Sequence, residues 1–227
     1  MSDSLWLTVY HRLYAAYGPQ HWWPGETPFE VMVGAVLTQN TAWTNVERAI
    51  AQLKSAGALS CHAILALTAE ALAELIRPAG YFNVKARRLK ALCALLAEAG
   101  VAEDPGQLRA TAPLPELRRR LLAVHGVGEE TADSILLYAL GLPVFVVDAY
   151  TRRIFARLGL ITGSESYGRI QQAFESALPR EVALYNEYHA LIVHLGKAVC
   201  RPRPRCGECP LQALCPSAHG DLMRASP

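Results

Sequence analysis

Four cysteines crowd into sixteen residues near the end of the chain, Cys200, Cys206, Cys209 and Cys215, in the pattern C-x5-C-x2-C-x5-C. Thiols at this density in a reducing compartment act as metal ligands rather than as disulfide partners. Zinc motifs usually combine two short C-x2-C knuckles, and only one short pair is present here. A four-iron cluster has its irons set apart and accepts wider, uneven spacing, so the pattern favours [4Fe-4S] over zinc. A second constellation lies upstream. His125-Gly126-Val127-Gly128 reads as a tight hairpin whose backbone N–H groups, beside a helix start, suit a phosphate; an ordinary turn between helices is the alternative. Some twenty residues later Asp148 ends the apolar run Val146-Val147. It reads as the N-cap of the next helix and equally as a rigidly held carboxylate able to stabilise a sugar cation.

The elements that must position these groups are helical. Apolar residues recur at helical spacing nearly everywhere and no run alternates at period two, so the expected fold class is all-α. Thr27-Pro28-Phe29-Glu30 combines an N-cap, a first-turn proline and a capping-box glutamate. Stripes follow at Val46, Ala49, Ile50 and Leu53, at Leu89, Leu92, Cys93 and Leu96, and at Ala132, Ile135, Leu136, Ala139 and Leu140. Glycines 57, 80, 100, 141 and 159 stand where helices should stop. After Lys197 the periodicity gives way to a Cys-, Pro- and Arg-rich tail that needs something other than an apolar stripe to hold it.

With 227 residues, 52% of them hydrophobic, the chain can bury a sizeable core without disulfide staples. The formal net charge of +2 neither demands nor excludes a polyanionic partner. The bases fall in four clusters, at Lys85-Arg87-Arg88-Lys90, Arg118 to Arg120, Arg152-Arg153-Arg157 and Arg201-Arg203-Arg205. Each reads as a solvated helix face, and together as a candidate polyanion footprint. No apolar run is long enough to span a bilayer and the N-terminus lacks a signal-peptide pattern, so a cytoplasmic location without membrane attachment is expected. His189 and His194 are five apart, a poor ligand spacing, and are expected as packing or surface residues. Cys93 is expected in the core, and Cys61 is isolated.

Taken in order, Leu37-Thr38-Gln39-Asn40-Thr41, Gly80-Tyr81-Phe82-Asn83-Val84-Lys85-Ala86, Gly126-Val127-Gly128, Val147-Asp148 and the four cysteines resemble the helix-hairpin-helix DNA glycosylases similar to endonuclease III. The resemblance implies two helical lobes: a six-helix domain over residues 26–142, and a discontinuous iron–sulfur domain from 1–25 plus 143–227, with damaged double-stranded DNA across the cleft. It implies a monomer acting on nucleoid DNA in base-excision repair. Asp148 matches the catalytic aspartate, Gly126, Val127 and Gly128 the phosphate clamp, and Gln39 the side chain that fills the space left by a flipped nucleotide. Tyr81 stands where endonuclease III has an aliphatic wedge, so Tyr81 or Phe82 is expected to unstack bases.

Two departures carry information. The first cysteine spacing is one residue shorter than the family's usual six. More consequentially, Glu130 occupies the position where bifunctional members carry the lysine that forms a Schiff base. A monofunctional glycosylase is therefore expected. Glu129 and Glu130 also suit the first turn of a helix, where an acid contributes ~0.3–1 kcal/mol. Trp22, Trp23 and Trp43, with Glu129-Glu130-Thr131, look more like the 3-methyladenine glycosylase branch. Stacking on tryptophan favours a cationic alkylated purine by ~0.5–2 kcal/mol. The alternatives are an oxidised-pyrimidine glycosylase with little lyase activity and a DNA-binding accessory with little catalysis.

Overall fold

The computed structural model describes residues 4–22 and 25–219. Among them are eleven α-helices and no strand. In chain order these are α1 (Leu5–Tyr17), α2 (Pro28–Leu37), α3 (Trp43–Ser55), α4 (Cys61–Ala66), α5 (Ala69–Leu75), α6 (Phe82–Glu98), α7 (Leu114–Ala123), α8 (Glu129–Ser134), α9 (Ala149–Arg157), α10 (Tyr167–Ala177) and α11 (Val182–Ala198). None is long and apolar enough to cross a membrane. The chain divides into two compact units, one of Trp23–Leu142 and one of Met1–Trp22 with Pro143–Pro227.

The first unit is built around α2, in which every residue after Pro28 is buried. A helix that is apolar on all sides must be surrounded, and α2 packs against α3, α6 and α8. The Thr27 hydroxyl accepts the Glu30 N–H at 3.1 Å, and Glu30 in turn accepts the N–H of Glu26 at 3.3 Å. Lys54 closes this cap on both carboxylates, at 3.1 Å from Glu26 and 3.0 Å from Glu30. The stripe expected to form one helix through Leu140 instead changes character: α8 passes at Ile135 into a π-helical turn ending at Ala139, closed by the Leu140 N–H on the Ile135 carbonyl. Such turns are rare in helices and cluster at functional sites.

The second unit has an aromatic core. Trp6 stacks on Phe155 and meets Phe174 edge-on, while Phe145 stacks on Phe174 and Tyr188 crosses the edges of both. Ring pairs in these geometries contribute about 0.5–1.5 kcal/mol each beyond their burial. Helix α11 lies so close to α9 that a β-carbon on Gly196 would overlap the Tyr150 ring.

Candidate functional site

Asp148 is reached through the non-helical segment 143–147, whose residues Val144 to Val147 are buried. Backbone polar groups in a buried, irregular run must find partners, and α10 supplies them. Glu175 accepts the Phe145 N–H at 2.9 Å, Gln171 donates to the Phe145 carbonyl at 2.7 Å, and the Tyr167 hydroxyl accepts the Val147 N–H at 3.2 Å. The run delivers Asp148 to the start of α9, where its Oδ1 accepts the Thr151 N–H at 2.7 Å and the Thr151 hydroxyl at 2.9 Å. Its Oδ2 faces His189 Nε2 of α11 at 3.5 Å, with both side chains less than a tenth exposed. Burial pushes the carboxyl pKa up, but His189 and Thr151 together outweigh it and hold Asp148 below its ordinary value. Trp22 covers His189 with ring centroids 5.3 Å apart.

His189 is a buried packing residue whose place beside Asp148 spacing alone does not reveal. Forty residues separate it from Asp148, and its relation to His194 has no bearing on either. His194 is exposed and pairs with the Gln20 side chain at 3.0 Å. The usable signal is different: His189 is a polar residue on the buried face of a helix that is otherwise largely apolar.

The other unit holds Gln39, Trp43, Tyr81, Phe82, Gly126, Val127, Gly128 and Glu130. Gln39 follows α2 in a turn that continues through Asn40, whose φ is +54°. The Gln39 amide donates to the Gly126 carbonyl at 3.1 Å and to the Thr131 hydroxyl at 2.9 Å, and its carbonyl oxygen accepts from Arg88. Gly126 has φ +81°, and a β-carbon there would overlap the Arg88 side chain. Its glycine is thus needed twice, for the turn and for Arg88. Val127 is buried, whereas Gly128 precedes α8 with φ −91° and nothing within 4 Å of a notional β-carbon. Gln39, Asn40, Arg88, Glu130, Thr131 and Ser134 help to line a cavity of about 260 Å³. Glu129 lies 3.6 Å from Arg118, which grips buried Asp133 through two bonds of 2.7 and 3.0 Å.

Tyr81 is 70% exposed and has φ +46°, a left-handed conformation that is an outlier for a bulky residue. It immediately precedes α6, and Phe82 beside it carries the Arg77 guanidinium over its ring at 4.6 Å. Trp43 opens α3, half-buried, with its indole against Gly34 and its N–H donating to Glu47 at 3.0 Å. Trp23 lies outside the described residues.

The basic clusters are mixed: Arg87, Arg119, Arg201, Arg203 and Arg205 are exposed, while several others are engaged within the fold. Lys85 is buried, and Lys90 donates to the carbonyls of Ile64, Leu65 and Leu67 at the end of α4. Arg119 and Arg120 both bind Glu116. Arg152 donates to the Gly163 and Glu165 carbonyls, Arg153 to those of Gly196 and Cys200, and Arg157 to those of Arg201 and Pro202. For Lys90, Arg152, Arg153 and Arg157 the physical reason is common: helix ends and irregular loops leave carbonyls unbonded, and cations are favoured there.

Cys200, Cys206, Cys209 and Cys215 line one cavity of about 680 Å³. Arg157 donates to the Cys200 sulfur at 3.2 Å. Burial, followed by the other three sulfurs, raises the Cys209 thiol pKa against the lowering effect of the Leu211 N–H. Among the described residues no group of three or more His, Cys, Asp or Glu side chains is placed to hold a single metal ion. Cys93 is buried with Cys61, whose thiol donates to the Cys93 carbonyl at 3.3 Å.

With this geometry in place, comparison with known proteins is informative. A family model described as the HhH-GPD superfamily of base excision DNA repair proteins matches residues 33–180. A protein of Methanocaldococcus jannaschii, provisionally named a DNA repair glycosylase, is 49% identical over 208 residues, 91% of this chain and 94% of that one. An endonuclease III of Treponema pallidum is 34% identical over 216 residues, covering 91% and 92%. In fold the chain is similar to endonuclease III in a non-covalent DNA complex, with TM-score 0.82, 23% identity and 98% and 99% coverage. It is also similar to an H. pylori 3-methyladenine DNA glycosylase bound to 1,N6-ethenoadenine, with TM-score 0.72, 29% identity and 86% and 98% coverage.

Proposed function

The chain belongs to the HhH-GPD superfamily of base excision DNA repair proteins and is a DNA glycosylase of the endonuclease III kind; from that premise we propose that it releases bases by hydrolysis alone and that its preferred bases are alkylated purines. The observation that carries this reading is Glu130, an exposed carboxylate in the first turn of α8 where bifunctional relatives present an amine. A carboxylate cannot form an imine with the sugar, so the route to β-elimination is closed. Asp148 supplies what hydrolysis requires, a buried carboxylate held in its ionised form.

In this mechanism the C1′–N bond breaks with its electron pair leaving on the base, and an N-alkylated purine departs neutral without needing a proton. The developing oxocarbenium ion is stabilised by Asp148, which is already oriented by Thr151. Water then adds at C1′ and its proton passes to Asp148 or to solvent. Trp22 and Trp43 offer aromatic faces, and stacking favours a cationic base by about 0.5–2 kcal/mol. Tyr81 and Gln39 act on the helix from which the base is drawn, with Gly126 and Gly128 bringing backbone close to phosphate. The 29% identity to a 3-methyladenine glycosylase supports this substrate class.

Methylated duplex DNA incubated with the enzyme should release 3-methyladenine and yield no adduct on borohydride treatment. Trapping at a rate matching base release would overturn the hydrolytic mechanism. Release of oxidised pyrimidines but no methylated purine would overturn the substrate assignment.

The four cysteines fit a [4Fe-4S] cluster. They bring four thiol donors around one cavity, and Arg157 and the Leu211 N–H face two of the sulfurs as donors. When bound, the cluster would tie the tail together through iron–thiolate bonds; the glycosidic chemistry is carried by Asp148. The purified protein should contain iron and acid-labile sulfide in equal amounts, and Cys206→Ser should lose the brown absorbance. A colourless, zinc-loaded protein would overturn the assignment.

A further inference from the structure

Among the described residues Lys85 is the most enclosed basic side chain of its unit, 1% exposed, and its ammonium bonds to carbonyls. Its ammonium donates to the Leu37 carbonyl at 2.7 Å and to the Ala79 carbonyl at 2.8 Å. Taking an ammonium out of water costs several kcal/mol unless its hydrogen bonds are satisfied. Desolvation, followed by the nearby charge of Arg88, lowers its pKa to about 8. A cation retained under such conditions marks a position where its bonds are needed.

The two carbonyls are not equivalent pieces of backbone. Leu37 is the last residue of α2, and Ala79 the last of the short 3₁₀ turn Arg77–Ala79. Both are helix ends, where carbonyls lack intrahelical partners and the backbone dipole favours a cation. Immediately beyond the first comes Thr38-Gln39-Asn40, and immediately beyond the second Gly80-Tyr81. Each of these turns contains a positive-φ residue that is not glycine, Asn40 at +54° and Tyr81 at +46°. One point charge therefore pins two strained turns that the sequence otherwise separates by about forty residues. Arg88, one helical turn further along α6, holds the Gln39 side chain itself.

We propose that Lys85 is a positioning residue that fixes the spacing of Gln39 and Tyr81 for base extrusion from paired DNA. This rests on the reading of those two side chains as DNA probes. With the ammonium removed, both helix ends lose their anchor and the turns relax independently. The chemistry at Asp148 is unaffected, so the deficit appears only where a paired base must be drawn from the stack.

The test uses one methylated oligonucleotide, either annealed or single-stranded, under single-turnover conditions. Lys85→Met should lower release of 3-methyladenine from the duplex roughly ten- to hundredfold, the scale expected when positioning is lost by about 1 Å. Release from the single strand should stay within about threefold of the unsubstituted enzyme. In a Gln39→Ala, Tyr81→Ala background the same substitution should have no further effect on the duplex, because contacts acting as one unit are not additive. Equal losses on both substrates, or the full loss in the double-substituted background, would overturn the inference. If Gln39→Ala and Tyr81→Ala each leave duplex release unchanged, it is the probe reading that fails.

Should Lys85→Met not fold, the unsubstituted enzyme gives the answer through pH. A neutral amine binds carbonyls less strongly than an ammonium. The charged neighbour acting on Lys85 is Arg88 of its own helix, the two capped ends face it with carbonyls, and Arg77 of the second end is engaged by Glu74. The duplex-to-single-strand ratio should fall as pH rises through about 8. It should not do so in the Gln39→Ala, Tyr81→Ala protein, and an unchanged ratio in the parent would overturn the proposal.

Discussion

In the proposed function, the Asp148 helix cap and the Gln39–Tyr81 turns solve opposite problems. Asp148 sits in regular geometry at a helix cap, with one oxygen bound twice by Thr151 and the other facing His189. Even the loop that leads to it has its backbone groups bonded by α10 side chains. Tyr81 is the reverse case, an exposed ring on a left-handed backbone. A group that must stabilise charge gains from rigid, redundant support, because it then needs no rearrangement as the charge develops. A group that must enter a base stack has to be exposed, and its position is defined by backbone strain held from below.

The largest effect should come from the rigid pocket. Asp148→Asn keeps an oxygen for the Thr151 cap but removes the negative charge, so base release should fall about 10²–10³-fold, as for loss of one stabilising group in a preorganised site. Duplex affinity should be nearly unchanged, and the melting temperature at neutral pH should fall modestly because the ionised carboxylate contributes to stability there. Activity within threefold of the parent would place the chemistry on another residue and dissolve the contrast. The same carboxylate gives a pH signature. Its pKa is lowered in the folded protein, so the unfolded chain takes up the proton first as acid is added. The stability it contributes is complete above the unfolded value of about 3.9 and is lost as pH falls through the folded value. Asp148→Asn should therefore flatten the acid limb of the stability curve below about pH 4.

A smaller effect should separate the two hairpin glycines. Gly126→Ala would place a side chain at φ +81° and into Arg88, and overpacking with left-handed strain should cost about 1–3 kcal/mol in a denaturant titration. Because Arg88 also binds Gln39, duplex activity should fall more than single-strand activity. Gly128→Ala has open space and an ordinary φ, so its stability cost should stay near 1 kcal/mol or less, that of a poorer helix cap. Equal destabilisation by both would mean that Arg88 does not rest on Gly126.

How much of this was legible in the sequence follows from the range of each interaction. The Thr27 and Asp148 caps, the all-helical pattern and the Gly126 turn depend on residues three or four apart, and spacing reveals such features. His189 and Asp148 meet across forty-one positions, and Lys85 meets Leu37 across forty-eight, so no local pattern encodes them. One basic cluster misleads for the same reason. Arg153 and Arg157 look like part of a cationic face until their carbonyl partners Cys200 and Arg201, more than forty residues along the chain, are known. The π-helical turn after Ser134 also escapes, since its apolar residues fit an ordinary helix equally well.

The smallest effect tests the strained side of the comparison, and it should run in opposite directions for stability and for activity. Tyr81 at φ +46° and ψ +31° pays a left-handed penalty of about 1 kcal/mol that glycine does not. Glycine gives part of this back through the greater freedom of its unfolded chain, about 0.4–1 kcal/mol. Tyr81→Gly should thus be neutral or more stable by up to about 0.5 kcal/mol, although a large aromatic side chain has been removed. That outcome is possible because the ring is 70% exposed and contributes little burial. Duplex excision should nonetheless drop while single-strand excision holds. A clear loss of stability would show that the ring packs to hold the turn, and a duplex rate equal to the parent's would show that the strain serves no extrusion step.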